Sequence, residues 1–281
     1  MTVQQLKNRI LGIVEAGGIE TPAFDAMCLL EDIGGIGRGN LAACAGNEVL
    51  PERCDAVIKA AKRRAEGEPL QYLLGTWDFL SLTLEVGDGV LIPRPETELL
   101  CQVAAECLQG LPCKDVLDLC SGSGCVGLGI ASLCPSATVT AVELSDDAMS
   151  YLKRNVARYP AYSVKVVHGN VLTDADRFES VDAIVSNPPY IPTDDLNTLQ
   201  REVQHEPRMA LDGDKDGYRF YRAIAKQWVP KIRSGGFAAV EVGIGQAKSV
   251  AALFEQHGLT DITIHTDFGG IERVVVGWKS K

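Results

Sequence analysis

The chain has 281 residues, of which 46% are hydrophobic and 23% charged, a balance typical of a globular protein with one large domain and one small one. Its net charge of −10 opposes tight binding to nucleic-acid phosphates, although a local basic patch stays compatible with it, and no apolar run reaches the roughly 18 residues of a membrane span. The nine cysteines never form a Cys-x-x-Cys pair and the amino terminus lacks a signal-peptide core, so we expect a cytoplasmic protein with reduced thiols, no bound metal and no membrane association.

The first 74 residues are predicted to form a small helical domain. Apolar residues recur at helical spacing from Val3 to Val14, before Gly17-Gly18. A second helix is predicted to start at Pro22, with Thr21 as its cap. A third or fourth helix is predicted over 51–65, and its basic end is either a solvated face or a docking surface for an acidic or nucleic-acid-bearing partner. The glycine-rich stretch 34–39 is predicted to be a loop between helices, because no strand precedes it and no Gly-Lys-Ser/Thr ends it.

Residues 75–93 are predicted to form a hairpin that links two domains. Apolar and polar residues alternate with period two from Phe79 to Val86, and Gly87-Asp88-Gly89 is expected to turn the chain into a second strand over Val90-Leu91-Ile92. A helix from about Glu96 to Leu108 is predicted to follow.

A glycine-rich loop follows the first strand of the predicted second domain. The strand covers 116–120, and the glycines of 121–127 let the backbone turn sharply and let a ligand approach the amino terminus of a helix over 125–133. The pattern Gly-x-Gly-x-x-Gly, with Glu143 about twenty residues later, also fits a nicotinamide dinucleotide site. Asp118 within the strand, and a later Asn-Pro-Pro-Tyr that has no role in hydride transfer, favour a different ligand.

The remaining strands are predicted at regular intervals, which indicates an α/β fold with a largely parallel sheet. They cover 138–144, 165–169, 181–186, 237–242, 262–266 and 273–278. Helical stretches separate them as far as the strand over 262–266, among them 146–158, 218–229 and 247–257. The last two strands are separated by only six residues, so they must pair antiparallel. Ligands bind such sheets at the carboxyl ends of the strands.

The strand over 181–186 ends at Asn187-Pro188-Pro189-Tyr190. The prolines cannot donate to a sheet ladder and restrict the residues before them, so the Asn187 amide and the Pro188 carbonyl are held in nearly fixed directions beside an aromatic ring. Two acceptors and a flat face suit a planar NH2 group, and neither acceptor can remove a proton. The motif therefore predicts attack by an amide or exocyclic amine nitrogen on a strong electrophile, and the alternative is an ordinary strand-ending loop. The tetrapeptide resembles that of the S-adenosylmethionine-dependent methyltransferases that act on amide or amino nitrogen.

Four motifs carry a resemblance to a known family. They are Leu91-Ile92-Pro93-Arg94-Pro95-Glu96-Thr97-Glu98, Asp118-Leu119-Cys120-Ser121-Gly122-Ser123-Gly124, Asn187-Pro188-Pro189-Tyr190-Ile191-Pro192, and Glu202-Val203 with Glu206-Pro207 and Ala210-Leu211. With them, the chain resembles the peptide-chain release factor glutamine N5-methyltransferases over essentially its whole length. The resemblance implies a class I S-adenosylmethionine-dependent methyltransferase fold over 94–281, Rossmann-like, with a seven-stranded mixed sheet whose last strand is antiparallel. It also implies a helical substrate-recognition domain over 1–74 and a hairpin linker over 75–93.

The implied activity is methyl transfer from S-adenosylmethionine to the glutamine side chain of the Gly-Gly-Gln motif in class I release factors, in support of translation termination. The implied catalytic and substrate-binding residues are Asn187, Pro188, Pro189 and Tyr190. The implied cofactor-binding residues are Asp118, Cys120, Ser121, Gly122, Ser123, Gly124, Glu143, Asn170, Val171 and Asn187. The chain departs from the family at Cys120-Ser121, where Gly-Thr is frequent, at Asn170 and Val171, where an aspartate and an aromatic residue are common, and at Asp214 and Tyr218, where glycine and leucine are usual.

Two other functions are compatible with the same residues. A nucleic-acid adenine N6-methyltransferase would use the two acceptors of Asn187 and Pro188, here called the fork, on an exocyclic amine. It also needs base flipping and a phosphate-binding surface, which the acidic charge and small first domain disfavour. A binding module built on a degenerate methyltransferase domain is disfavoured by the intact Asn187 fork beside a plausible cofactor loop. We expect a monomer that acts on a protein and has no direct nucleic-acid substrate.

Overall fold

The computed structural model describes residues 1–281, which divide into two units. The first unit comprises Met1–Thr76 together with Gln200–His205, and the second comprises Trp77–Leu199 and Glu206–Lys281. None of the helices combines the length and the apolar composition that a membrane span requires.

The first unit is helical, as predicted. Its helices are α1 (Val3–Ala16), α2 (Pro22–Cys28), α3 (Pro51–Ala65) and α4 (Leu70–Leu74). Helix α1 begins at a capping box, in which the Thr2 side chain accepts from the Gln5 N–H and the Gln5 side chain accepts from the Thr2 N–H. Four of the apolar residues at helical spacing, Val3, Leu6, Ile10 and Val14, are buried, so burial of this face holds the helix in place.

A hairpin follows, but its turn lies earlier than predicted. Strands β1 (Thr76–Phe79) and β2 (Leu82–Glu85) are joined at Leu80 and Ser81, and the prediction of a second strand over 90–92 is wrong. Leu80 adopts a left-handed backbone (φ 53°) and packs its side chain against the core of the second unit. The turn therefore contains an apolar residue, and the alternation that predicted one long strand continues through it.

The second unit contains the predicted mixed sheet of seven strands. They are β3 (Asp115–Leu119), β4 (Thr138–Glu143), β5 (Val164–His168), β6 (Val181–Ser186), β7 (Ile232–Glu241), β8 (Leu259–Thr266) and β9 (Glu272–Lys279). Their order is β5-β4-β3-β6-β7-β9-β8. Strand β9 runs antiparallel to both of its neighbours, which confirms the predicted pairing of the last two strands.

The helices of the second unit are α5 (Pro95–Gln109), α6 (Cys125–Leu133), α7 (Asp146–Arg158), α8 (Arg219–Ala223) and α9 (Ala247–Gln256). The predicted helix over 218–229 is instead the short α8 followed by a π-helical turn, Ile224–Trp228. No full helix joins β5 to β6, where only the 3-10 turn Ala175–Arg177 forms. Asn170 and Asp174 accept backbone N–H groups of this connection with their side chains, and such local hydrogen bonds compete with a helix.

Two apolar layers cover the sheet, one on each face. Alternate residues of β6 enter different layers: Ala183 and Val185 pack with α5 and α6, whereas Ile184 packs with α8 and α9. Because successive side chains of a strand point to opposite faces, Asn187, which follows β6, lies on the same side of the sheet as α5.

Candidate active site

A cavity of about 900 Å³, open to solvent, lies at the carboxyl ends of β3 to β6. The predicted site residues on its wall are Cys120, Ser121, Gly122, Ser123, Glu143, Asn170, Val171, Asn187 and Pro189. The other predicted residues, Asp118, Gly124, Pro188 and Tyr190, do not line this wall, and both Asp118 and Pro188 are buried.

The loop between β3 and α6 has three residues with left-handed backbones, Cys120 (φ 60°), Gly122 (φ 55°) and Gly124 (φ 85°). Gly124 is favoured on two grounds: its φ of 85° is strained for any side chain, and a Cβ there would lie 2.6 Å from a methyl carbon of Leu152. Cys120 has a side chain in a conformation that costs an ordinary residue about 1–2 kcal/mol. Asp214 is also left-handed (φ 73°), so both positions at which the chain departs from the family's glycine keep the backbone that glycine adopts most easily.

Glu143 is fixed at the end of β4 by three backbone N–H groups. Its Oε2 accepts from Gly122 at 2.8 Å, and its Oε1 accepts from Leu144 at 2.8 Å and from Ser145 at 2.7 Å. A carboxylate has about four acceptor positions, so one remains for a ligand. The glycine loop and the β4 end are therefore joined through a single side chain that faces the cavity.

Asp118 is fully buried behind the glycine loop. Its Oδ2 accepts the Gly127 N–H at 3.0 Å, at the start of α6, while its Oδ1 has no partner. Burial raises the pKa of this carboxyl to about 7. The Ser123 hydroxyl, on the cavity wall, is the other buried side-chain oxygen without a hydrogen bond.

The Asn187 amide is held by two residues that the sequence did not single out as part of the site. Asn187 Nδ2 donates to Thr97 Oγ1 at 3.0 Å, and the Thr97 hydroxyl donates to Glu241 Oε2 at 2.6 Å. Thr97 lies in the Pro-Arg-Pro-Glu-Thr-Glu motif, and Glu241 is a lone carboxylate at the end of the apolar strand β7. Both features were visible in the sequence, but nothing in it indicated that residues 144 positions apart are in contact.

The other end of the Asn-Pro-Pro-Tyr loop is also fixed from the end of β7. Gln246 Nε2 donates to the Tyr190 carbonyl at 3.0 Å, and Gln246 Oε1 accepts the Gly243 N–H at 2.9 Å. Burial raises the pKa of the Tyr190 hydroxyl to about 12, so this group stays protonated at neutral pH. Tyr190 is therefore a neutral aromatic side chain at this pH and not a base.

Two segments that the predictions did not assign complete the cavity wall. Residues 91–94 and 207–210 both contribute to it, and the buried Glu206 joins them, accepting the Ile92 N–H at 2.9 Å and pairing with Arg94. The motif that contains Glu206-Pro207 was noted in the sequence, but its place beside the cavity required the fold.

The wall suits a nucleoside that carries an amino acid. Glu143 has one acceptor position left for a hydroxyl group, Val171 and Leu144 supply apolar surface, and the unpartnered Ser123 hydroxyl adds a polar contact beside the glycine loop. No group of three or more His, Cys, Asp or Glu side chains is arranged to hold a metal ion. The mixed sheet with an antiparallel β9 and a glycine loop after its first strand define a class I S-adenosylmethionine-dependent methyltransferase.

The chain belongs to the release factor glutamine methyltransferase family. It is 38% identical to the release factor glutamine methyltransferase of Geobacter sulfurreducens over 98% of this chain and 96% of that protein, and 34% identical to that of Moorella thermoacetica over 99% of each. Residues 9–75 match the PrmC N-terminal domain, and residues 97–212 match the Methyltransferase small domain.

A solved structure extends the likeness in fold. The catalytic domain of hMettl16, in complex with MAT2A 3'UTR hairpin 6, aligns with a TM-score of 0.60 over 79% of this chain and 82% of that one. At 15% identity, this likeness concerns the fold alone.

Proposed function

We propose that the chain transfers a methyl group from S-adenosylmethionine to the side-chain amide nitrogen of the glutamine in the Gly-Gly-Gln motif of class I peptide-chain release factors. Membership of the family supports this substrate. The observation that carries the proposal is the Asn187 amide, whose nitrogen donates inward to Thr97 so that its oxygen is the atom left to accept from a substrate.

Asn187 and Pro188 act by positioning. An amide nitrogen is a poor nucleophile because its lone pair is delocalised, so its orientation toward the methyl donor matters. The Asn187 side-chain oxygen and the Pro188 carbonyl would each accept one N–H of the glutamine amide. Positioning of this kind supplies up to about 7–11 kcal/mol in ideal cases. The partial negative charges of the same two oxygens stabilise the positive charge that develops on nitrogen during transfer.

No residue of the fork acts as a base. The Tyr190 hydroxyl stays protonated because its pKa is about 12, and an asparagine amide has no basic site at neutral pH. The methylated nitrogen is acidic enough to lose its proton to water, so the reaction requires none. Tyr190 would instead pack against the glutamine side chain.

The cavity beside the fork would hold the cofactor, which supplies an electrophilic methyl group on a positively charged sulfur. We assign the ribose hydroxyls of the cofactor to Glu143 and its adenine ring to the apolar surface of Val171. Its amino-acid part is assigned to the loop 120–124. A ribose has two hydroxyls to place, so Glu143 would exchange one of its three backbone hydrogen bonds on binding. We also propose that the helices of residues 1–74 recognise the protein substrate.

The test is methyl transfer from labelled S-adenosylmethionine, with a class I release factor and duplex DNA offered in parallel and the modified peptide located by mass. We expect one methyl group on the Gly-Gly-Gln glutamine. Asn187→Ala should lower the rate about a hundredfold or more, equivalent to roughly 3 kcal/mol, while cofactor affinity stays within a few fold. The matched control is Asn197→Ala, an exposed asparagine ten residues further along, which should retain the wild-type rate.

Two results would contradict the proposal. Label on adenine would favour the nucleic-acid N6-methyltransferase and leave the chemistry of the fork unchanged. Loss of cofactor binding as the main defect of Asn187→Ala would remove Asn187 from the fork and assign it to the cofactor site.

A further inference from the structure

A chain of three buried or half-buried side chains runs from the end of β7 to the fork. Glu241, 2% exposed, accepts the Thr97 hydroxyl at 2.6 Å, and Thr97, 0% exposed, accepts Asn187 Nδ2 at 3.0 Å. Three different elements contribute to it, β7, α5 and the loop after β6. The chemistry of these three groups gives the chain of hydrogen bonds a direction.

An ionised carboxylate can only accept hydrogen bonds, so Glu241 requires the Thr97 hydroxyl to donate to it. The single hydroxyl hydrogen is then used, and Thr97 Oγ1 can offer only lone pairs to Asn187. Of the two ends of the Asn187 amide, only Nδ2 carries hydrogens, so Nδ2 must face Thr97 and Oδ1 must face away. We propose that Thr97 and Glu241 are positioning residues that set the orientation of the Asn187 side-chain amide, with Nδ2 toward Thr97 and Oδ1 away from it.

The surroundings of Glu241 decide whether it is ionised. The pKa of its carboxyl is raised to about 7, chiefly by burial and to a smaller extent by Glu96, against the lowering effects of the Thr97 hydrogen bond, Arg273 and Arg94. Tyr221 faces it from α8, but its hydroxyl donates to the Glu241 carbonyl oxygen at 3.0 Å and leaves the carboxylate free to accept from Thr97. Above pH 8 the carboxylate form dominates, so experiments on the direction of these hydrogen bonds belong at about pH 8.5.

The consequence for the reaction rests on the proposed function. With Oδ1 outward, Asn187 accepts an N–H of the glutamine amide. With the amide reversed, its NH2 would meet the NH2 of the substrate, and one of the two acceptors of the fork would be lost. Thr97 and Glu241 touch neither end of the bond that forms, so they act through Asn187.

A double-mutant cycle on single-turnover rates tests the action through Asn187. Thr97→Val keeps the shape of the side chain and removes the hydroxyl, and it should lower the rate about tenfold, the value of one hydrogen bond. Thr97→Ser keeps the hydroxyl and should restore a rate within about twofold of wild type. In an Asn187→Ala background, Thr97→Val should cause no further loss, because the residue on which it acts is gone. Losses that multiply would overturn the inference.

Cofactor affinity is measured in the same variants, because Thr97 lies on the cavity wall. Wild-type affinity in Thr97→Val, together with the lower single-turnover rate, is the expected result. A weakened affinity that accounts for the whole loss of rate would assign Thr97 to cofactor binding and overturn its positioning role.

A second readout does not depend on activity. The chain has seven asparagines, so ¹⁵N-asparagine labelling gives a small set of side-chain amide signals, and the pair missing from Asn187→Ala identifies Asn187. We expect exchange of its NH2 hydrogens with water to increase about fivefold or more in Thr97→Val and in Glu241→Gln, and to stay at the wild-type rate in Thr97→Ser.

Unchanged exchange in both Thr97→Val and Glu241→Gln would overturn the positioning role. The two variants change different residues, so misfolding of one leaves the other to decide, and the dispersion of the remaining asparagine signals reports folding. If the wild-type chain methylates no release factor, the proposed function fails, whereas the exchange experiment still gives its own answer.

Discussion

Two of the buried aspartates, Asp25 in the helical unit and Asp118 in the second unit, are satisfied in opposite ways. In the helical unit, Asp25 accepts Arg64 Nε at 2.6 Å on one oxygen and the Thr21 hydroxyl at 3.0 Å on the other. In the second unit, Asp118 accepts one backbone N–H on Oδ2, and its Oδ1 has no partner. The charge of Asp25 is therefore balanced by an arginine, whereas Asp118, behind the glycine loop, is a buried carboxyl with only one oxygen hydrogen-bonded.

The difference separates a structural carboxylate from one beside a binding site. A buried ion pair with all its hydrogen bonds made holds elements together, and its removal leaves an unpaired charge. An unpartnered buried oxygen costs stability, and departures of this kind from full hydrogen bonding are expected at functional or strained sites. The same contrast applies to Ser123, whose hydroxyl has no partner beside the cavity.

The largest expected effect comes from breaking the pair in the helical unit. Arg64→Ala removes the cation from Asp25 and also the contacts of Arg64 with Glu202 at 2.5 Å and with the Glu68 carbonyl at 3.2 Å. Leaving a buried carboxylate unpaired costs about 3–5 kcal/mol. Hydrogen exchange of the α1 and α3 amides in the full chain should therefore accelerate by a hundredfold or more.

The neighbouring Arg63 supplies the control for this experiment. Its side chain is exposed and pairs with Glu68 at the surface, so Arg63→Ala should change the same exchange rates only slightly, as expected for an exposed ion pair worth about 0–1 kcal/mol. Equal acceleration in both variants would mean that the buried pair contributes no more than a surface pair, and the contrast between the two units would be lost.

The next effect concerns Asp118 and depends on pH. Its pKa is about 7 in the folded chain and about 3.8 when exposed, so the folded state holds the proton more tightly. Wild-type stability from this group is greatest below pH 4 and is lost as the pH rises through 7. Asp118→Asn cannot ionise. Relative to this variant, the wild type should lose about 2–3 kcal/mol of stability between pH 5 and pH 8.

Urea unfolding, monitored by tryptophan fluorescence at several pH values, measures this loss of stability. All three tryptophans, Trp77, Trp228 and Trp278, belong to the second unit, which contains Asp118. Asp115→Asn is the control: Asp115 begins the same strand but is half-exposed and paired with Arg233, so its variant should keep the wild-type pH dependence. If the free energy of unfolding of Asp118→Asn changed with pH as it does in the wild type, the buried carboxyl would not titrate in this range.

The sequence predicted local features well and contacts poorly. Strand β6, helix α6 and helix α7 lie where periodicity and flanking residues placed them, because each depends on neighbours along the chain. The pairing of Thr97 with Glu241 joins residues 144 positions apart, and that of Arg64 with Asp25 joins residues 39 apart. Neither leaves a repeating pattern in a single sequence, so these partners required the fold.

Turns were predicted less well than strands and helices, but better than long-range contacts. The period-two alternation predicted β2 but hid the turn at Leu80, because an apolar residue occupies it. Cys120 carried a better signal, since the family frequently has glycine at that position and the structure gives the residue a left-handed backbone. A departure from a family's glycine is thus a place to expect strain rather than a change of conformation.

The smallest expected effect tests that strain at Cys120. Comparing Cys120→Gly with Cys120→Ala cancels the loss of the sulfur and leaves only the backbone preference. With φ at 60°, the glycine variant should be the more stable of the two by about 1 kcal/mol, because a Cβ is unfavourable there. At Cys107, inside α5, the order should reverse, with alanine favoured over glycine by about 1 kcal/mol. Tryptophan-detected urea unfolding of the four variants measures both differences. The same order at the two positions would mean that the loop before α6 relaxes when Cys120 is replaced, and that the glycine loop is not held in its left-handed form by the residues around it.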